Sequence, residues 1–203
     1  MNFFWAALLV TLAGAVSAPV LAANETLGAS VATSGAGFDS SAATNWNGTP
    51  GIYSPASIVS GLPLPDGTQW NLGTAYWSGT SNGDASQYLT IMLADLVTIS
   101  SIDLQADNND SYNVAYWNGA AWQSLTTFGG AGGWGLDTRP TFTLASTVTT
   151  DQFKIAAVGG DGWYAVGQFT ANSAAAAVPE PETYTMLLAG LGLIGAMIRR
   201  RKV

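Results

Sequence analysis

Near its C-terminus the chain runs for fifteen residues, 184–198, without a charge, and then places four bases in a row, Arg199, Arg200, Arg201 and Lys202. The run predicts an apolar helix that the basic cluster stops in a membrane. At about 1.5 Å per residue it is shorter than a hydrocarbon core of about 30 Å, so crossing requires local thinning and long basic side chains that snorkel to the interface. Bases held on the cytoplasmic side leave everything before Pro179 outside. Upstream, Pro179 and Pro181 can neither continue a helix nor donate to a sheet, so 178–181 reads as an extended, accessible spacer behind the alanine run 174–177. Gly190, Gly192 and Gly195 spell G-x-G-x-x-G, but no strand precedes them and arginines follow. They read as small residues that permit close helix approach, not as a dinucleotide fingerprint.

On its own this order of features fits a permanent single-pass anchor. Val178, Pro179, Glu180 and Pro181, the short apolar helix, and Arg199, Arg200 and Arg201 together resemble the PEP-CTERM sorting signal of Gram-negative bacteria. The resemblance implies an exosortase-type membrane peptidase as partner, a transient inner-membrane intermediate, and removal of the tail. It also implies delivery to the cell surface or extracellular matrix, in an exopolysaccharide or biofilm setting.

At the other terminus, residues 3–16 form an apolar stretch, and Val20, Leu21 and Ala22 offer small residues for cleavage after Ala22 or Ala23. This reads as the helix of a secretory signal peptide, although the usual N-terminal base is missing. The expected division is a signal peptide at 1–23, an exported domain at 24–172, a linker with the Pro-Glu-Pro motif at 173–183, and the transmembrane helix with its basic tail at 184–203. The segment between the signals carries eleven carboxylates against two bases, Arg139 and Lys154, a net charge of −9. A surface of that sign excludes nucleic acid as a partner. The chain has neither Cys nor His. That removes disulfides, thiol chemistry, Ser-His activation and His-ligated zinc or copper, and leaves carboxylates, amides and carbonyls, which suit Ca²⁺. No cofactor is expected, with a structural Ca²⁺ left open and its ligands unknown.

Between the signals the pattern predicts an all-β, jelly-roll sandwich. Residues 26–33, 87–94, 97–105, 111–117, 121–125, 141–145, 153–158 and 164–170 read as strands, with one slip near Ile102 that suggests a bulge, and 75–78 precedes a turn at Asn82-Gly83. Asn118-Gly119 is the strongest hairpin turn. Trp77-Ser78, 87–91, 99–104, 112–116, Trp122, 153–155 and 160–166 look like a discoidin-type, galactose-binding-like domain. That resemblance implies ligand binding in loops at one end of the sandwich and, in many members, a structural Ca²⁺ nearby. Where members often carry a late glutamate on the final strand, this chain has Gln168.

Seven of eight tryptophans lie in the exported segment. Indoles stack on the C–H faces of sugars while Asp, Asn and Arg hydrogen-bond the hydroxyls. Trp46, Trp77 and Trp134 each read as either core or stacking platform, whereas Trp122 and Trp163, in or beside strands, read as core. The run 107–110, Asp-Asn-Asn-Asp, reads as a polar turn or as part of a Ca²⁺ loop. Arg139 reads as the partner of Asp137 or as a donor to sugar. Ten aspartates make some close carboxylate pair inevitable, so no hydrolase is inferred from them. The expectation is a non-enzymatic exported surface or matrix protein that binds extracellular polysaccharide at one end of the sandwich, through Trp46, Trp77, Asp107, Asn109, Trp134 and Arg139. The alternative is a structural matrix or adhesion component that binds no carbohydrate.

Overall fold

The structure is a computed structural model that describes residues 22–39, 48, 50–174 and 181–200. Two compact units separate, and the described part of the first is one helix, α1 (Pro181–Arg200). The second unit, Ala22–Ala174, contains nine strands: β1 (Ser30–Ser34), β2 (Ile52–Tyr53), β3 (Leu72–Ser78), β4 (Tyr88–Asp107), β5 (Ser111–Trp117), β6 (Trp122–Phe128), β7 (Leu136–Thr138), β8 (Phe142–Gly159) and β9 (Trp163–Ser173). A 3-10 helix (Pro55–Val59) buries Ile58 and Val59.

Two long strands organise the sandwich. The first half of β4 pairs β1 and the second half of β8, at Leu89↔Ile155 and Ile91↔Phe153. Its second half pairs β9, β7 and the first half of β8. Register shifts fall between Met92 and Val97 and between Ile99 and Ser101. At the first of these, Ala94, Asp95 and Leu96 are exposed. There the ribbon of β4 and β8 leaves one layer and enters the other. One layer is therefore β2-β3-β9-β4-β7 with the start of β8, and the second is β1-β4-β8-β5-β6. Residues 87–94 and 97–105 are thus one strand and not two, as are 141–145 and 153–158, because a bulge carries the chain round the corner without ending the ladder.

Alternation sets the core. Leu89, Ile91, Tyr112, Val114, Phe153 and Ile155 point inward from the second layer to meet Trp77, Ile99, Ile102, Leu104 and Phe169 from the first. β3 breaks the alternation: Thr74, Ala75, Tyr76 and Trp77 are all buried. Its outer side is covered by the connection before it, where Trp70 joins Tyr76, Leu136 and Ala165 in a smaller second cluster. Just after the expected signal-cleavage point the chain enters the sheet edge, with Ser173 N–H donating to the Ala23 carbonyl and Asn24 bridging to Asn172.

The signal helix expected at 3–16 and the Val178, Pro179, Glu180 and Arg201 positions of the tail lie outside the described residues. Pro181, Arg199 and Arg200 lie in α1. Among the described residues no helix is long and apolar enough to cross a membrane. Fifteen uncharged residues at about 1.5 Å each fall short of the hydrocarbon thickness.

Candidate functional site

One end of the sandwich collects the turns β3–β4, β4–β5, β6–β7 and β8–β9, because β3, β4, β6 and β8 all finish there. These loops are tied across one another. Asn108 N–H donates to the Gly135 carbonyl at 2.9 Å, its side-chain amide to the Gly133 carbonyl at 2.7 Å, and Ala131 N–H to the Asn108 carbonyl at 2.7 Å. Asn109 Nδ2 donates to Asp161 Oδ2 at 2.9 Å, and Gly160 N–H to the Ser81 carbonyl at 2.9 Å. Gly160 is required there, since a Cβ would overlap Asp110 Oδ1.

Beneath the loops lies a buried polar layer. Arg139 is 3% exposed, and its Nη2 donates to the carbonyl oxygens of Asp107 at 2.6 Å and Asp110 at 3.4 Å. Its Nη1 lies 3.8 Å from Asp137 Oδ2, while Nε and Nη1 have no hydrogen-bond partner. Tyr112 donates to Asp110 Oδ2 at 3.0 Å and accepts from Ala165 N–H at 3.0 Å. Burial pushes the Asp107 carboxyl up to about 7, against the opposing Asn108 N–H bond. Burial, and then the neighbouring Asp107, push Asp110 up to about 8. The Tyr112 phenol is raised for the same reason, chiefly its burial.

The residues expected at a site therefore divide. Asp107, Asn109, Trp134 and Arg139 meet at this loop end. Asp107, however, is buried and positions the loops from below, which removes it as a direct ligand of a sugar, whereas Arg139, also buried, is part of the lining of a cleft at this end, with Nε and Nη1 unpartnered. Trp77 is a correction. It is fully buried, with Phe38, Tyr164 and Tyr112 ring centroids 5.1, 5.6 and 6.1 Å away, and belongs to the core. Trp46 lies outside the described residues. Trp134 is 64% exposed on the glycine-rich β6–β7 connection. The cleft lies beside that connection, is about 510 Å³ in volume, and has a lining that includes Phe128, Gly130, Arg139, Pro140, Thr141 and Phe142. Sequence reading missed this cleft, since Phe128 and Phe142 sit on strands that do not pair with each other.

Trp122 is also corrected, being half-buried and outside both buried clusters, whereas Trp163 is half-buried and packs against the smaller cluster. Trp122 stands on the edge strand β6, and Trp163 lies 6.2 Å from Trp70.

A structural Ca²⁺, implied by the discoidin-type resemblance, does not fit. The ion takes six to eight oxygens, and no group of three or more acidic side chains able to hold a metal occurs among the described residues. Gln168 brings an amide in place of a carboxylate, with Nε2 donating to the Phe169 carbonyl at 3.2 Å. Nearby, Gln105 Nε2 donates to the Leu64 carbonyl, Asp66 Oδ1 and Thr138 Oγ1 at 2.6, 3.0 and 3.2 Å. A neutral nitrogen thus already gathers the oxygens of that loop.

Residues 177–202 match the family model described as the PEP-CTERM protein-sorting motif. No curated protein matches the chain. Among solved structures the sandwich is similar to the family 32 CBM of C. perfringens NanJ in complex with galactose, at 13% identity and TM-score 0.49, over 75% of this chain and 98% of that one. It is similar to the family 32 carbohydrate-binding module from Streptococcus pneumoniae EndoD, at 13% identity and TM-score 0.49, over 75% and 100%. It is also similar to SpGH29, at 14% identity and TM-score 0.47, over 74% of this chain and 28% of that one, so the chain spans little more than a quarter of that protein's length. Likeness at these values concerns the fold alone. The tail is more specific: the chain carries a PEP-CTERM sorting motif, the mark of a bacterial protein exported through a membrane-anchored sorting intermediate.

Proposed function

We propose that the exported sandwich is a carbohydrate-binding module that holds extracellular polysaccharide at its loop end, on a protein that an exosortase-type peptidase delivers to the surface or matrix of a Gram-negative bacterium. Trp134 carries this reading: a large indole 64% exposed on a loop whose backbone is fastened by Asn108. Leaving an indole in water forgoes about 1.5–3 kcal/mol of burial, and a sugar's C–H face restores part of it. The adjacent cleft has the size and apolar lining of a small-ligand site. Asn109 and Asp161 present further polar groups at the same end. No step here requires bond cleavage. The domain's task is retention of the polymer, and the domain boundaries follow the division at 24–172.

Affinity electrophoresis of the full chain in nonionic detergent, against a panel of neutral polysaccharides and the producing organism's own exopolysaccharide, tests this. Retardation by at least one polymer is expected, with Trp134→Ala weakening it by about 1–3 kcal/mol at an unchanged melting temperature. Wild-type migration in every gel would instead favour a structural matrix role.

A further inference from the structure

The second layer has an outer face that the loop-end reading does not use. Cross-strand pairing puts Thr90, Lys154, Ala115 and Ser124 in one row across β4, β8, β5 and β6, and alternation turns that row away from the core formed by Leu89, Ile91, Phe153 and Ile155. Two residues along the strands, Tyr88 and the facing pair Trp117 and Trp122 share this outward side. No outward position of 88–92, 113–117, 122–124 or 152–156 carries a carboxylate. In a segment of net charge −9 this is a local reversal, and Lys154 stands at its centre. The Lys154 ammonium lies 5.3 Å from the Tyr88 ring centroid and 5.2 Å from that of Trp122, and Trp122 meets Trp117 edge-on at 5.5 Å. The ion pair found among the described residues is that of Arg139 with Asp137, so Lys154 has none there. Ring faces attract a cation but accept its three N–H donors poorly.

We propose that this sheet face is a second ligand surface, and that it takes the hexuronate units of an acidic polysaccharide. The sugar carboxylate pairs with the Lys154 ammonium, and the apolar face of the pyranose rests against the indoles of Trp117 and Trp122. A carboxylate supplies what the rings lack, an ionised oxygen acceptor for a charge-assisted bond. The surrounding neutral side chains, Thr90, Asn113, Ser124 and Gln152, add hydrogen-bonding groups without repelling the anion. The exposed carboxylate Asp161 lies instead at the loop end.

The test is affinity electrophoresis of the full chain in nonionic detergent through gels containing polygalacturonate, run beside the neutral panel. Polygalacturonate is expected to retard the protein, less so as salt rises and screens the charge. Lys154→Gln and Trp122→Ala are each expected to weaken that retardation about tenfold, the equivalent of one charge-assisted contact. Lys154→Arg, which keeps the charge, is expected to retain it. Migration in neutral gels, the readout of the loop-end site, is expected to stay unchanged in Lys154→Gln. Polygalacturonate that fails to retard the wild type overturns the proposal. So does Lys154→Gln with wild-type retardation, or binding of polygalacturonate that Trp134→Ala abolishes and Lys154→Gln leaves intact. Failure of every neutral polymer refutes the loop-end reading and leaves this test unaffected.

Discussion

Two indoles of equal size do opposite work in this domain. Trp77 closes the core among Phe38, Tyr112 and Tyr164, so Trp77→Ala is expected to cost about 3–5 kcal/mol of stability, read as a lower denaturant midpoint. Trp134, exposed, is expected to change binding and leave that midpoint in place. An unaltered midpoint for Trp77→Ala would show that this side chain is not where the structure puts it. The sequence offered no way to separate the pair, because the usual guide is alternation and β3 has none. Its outer side is covered by Trp70 and Leu136, so residues of both parities are buried, and a tryptophan read as bordering a loop becomes the centre of the core. Trp122 erred in the other direction: a strand residue reads as core, but the outward parity of an edge strand leaves it at the surface.

At the scale of elements, the strands and the Asn118-Gly119 hairpin were legible because their side chains alternate and the turn has the local chemistry it needs. Asn118 Oδ1 accepts both Ala120 and Ala121 N–H, at 3.0 and 2.8 Å. The continuity of β4 and β8 was not legible, since an exposed bulge at 94–96 looks like a turn in one dimension. Nor was the buried layer under the loops, which joins Asp107, Asp110 and Arg139 across about thirty residues of chain. That layer makes a pH prediction. Asp107 and Asp110 bind their protons more tightly in the native state, up to about 7 and 8, than in the unfolded chain at the ordinary 3.8. Between those values the native state holds more protons, so this stability is full at low pH and is lost as pH rises through about 7 to 8. The melting temperature is expected to fall from pH 5 to pH 9, and Asp110→Asn to flatten the slope. A melting temperature that climbs over that range would contradict the assignment. The Gln105 cradle makes a second prediction: exchanging EDTA for millimolar Ca²⁺ is expected to leave the melting temperature unchanged. A site saturated a hundredfold would add about 2.7 kcal/mol, a rise of several degrees, and such a rise would show that a calcium site exists after all.

For the whole molecule, the sorting motif addresses the chain for export, and the sandwich is the domain proposed to hold polysaccharide. The uncharged stretch of α1, fifteen residues, is shorter than a full hydrocarbon core. Mass spectrometry of protein recovered from cells with an active sorting system is expected to lack the tail from about residue 184 onward, and recovery of an intact C-terminus would make α1 a permanent anchor. The polysaccharide claim is tested most directly by isothermal titration of the full chain in detergent with the producing organism's purified exopolysaccharide. Saturable binding that Trp134→Ala weakens about tenfold or more, with the fold intact, is the predicted result. No measurable binding by a protein that still melts cooperatively would contradict it.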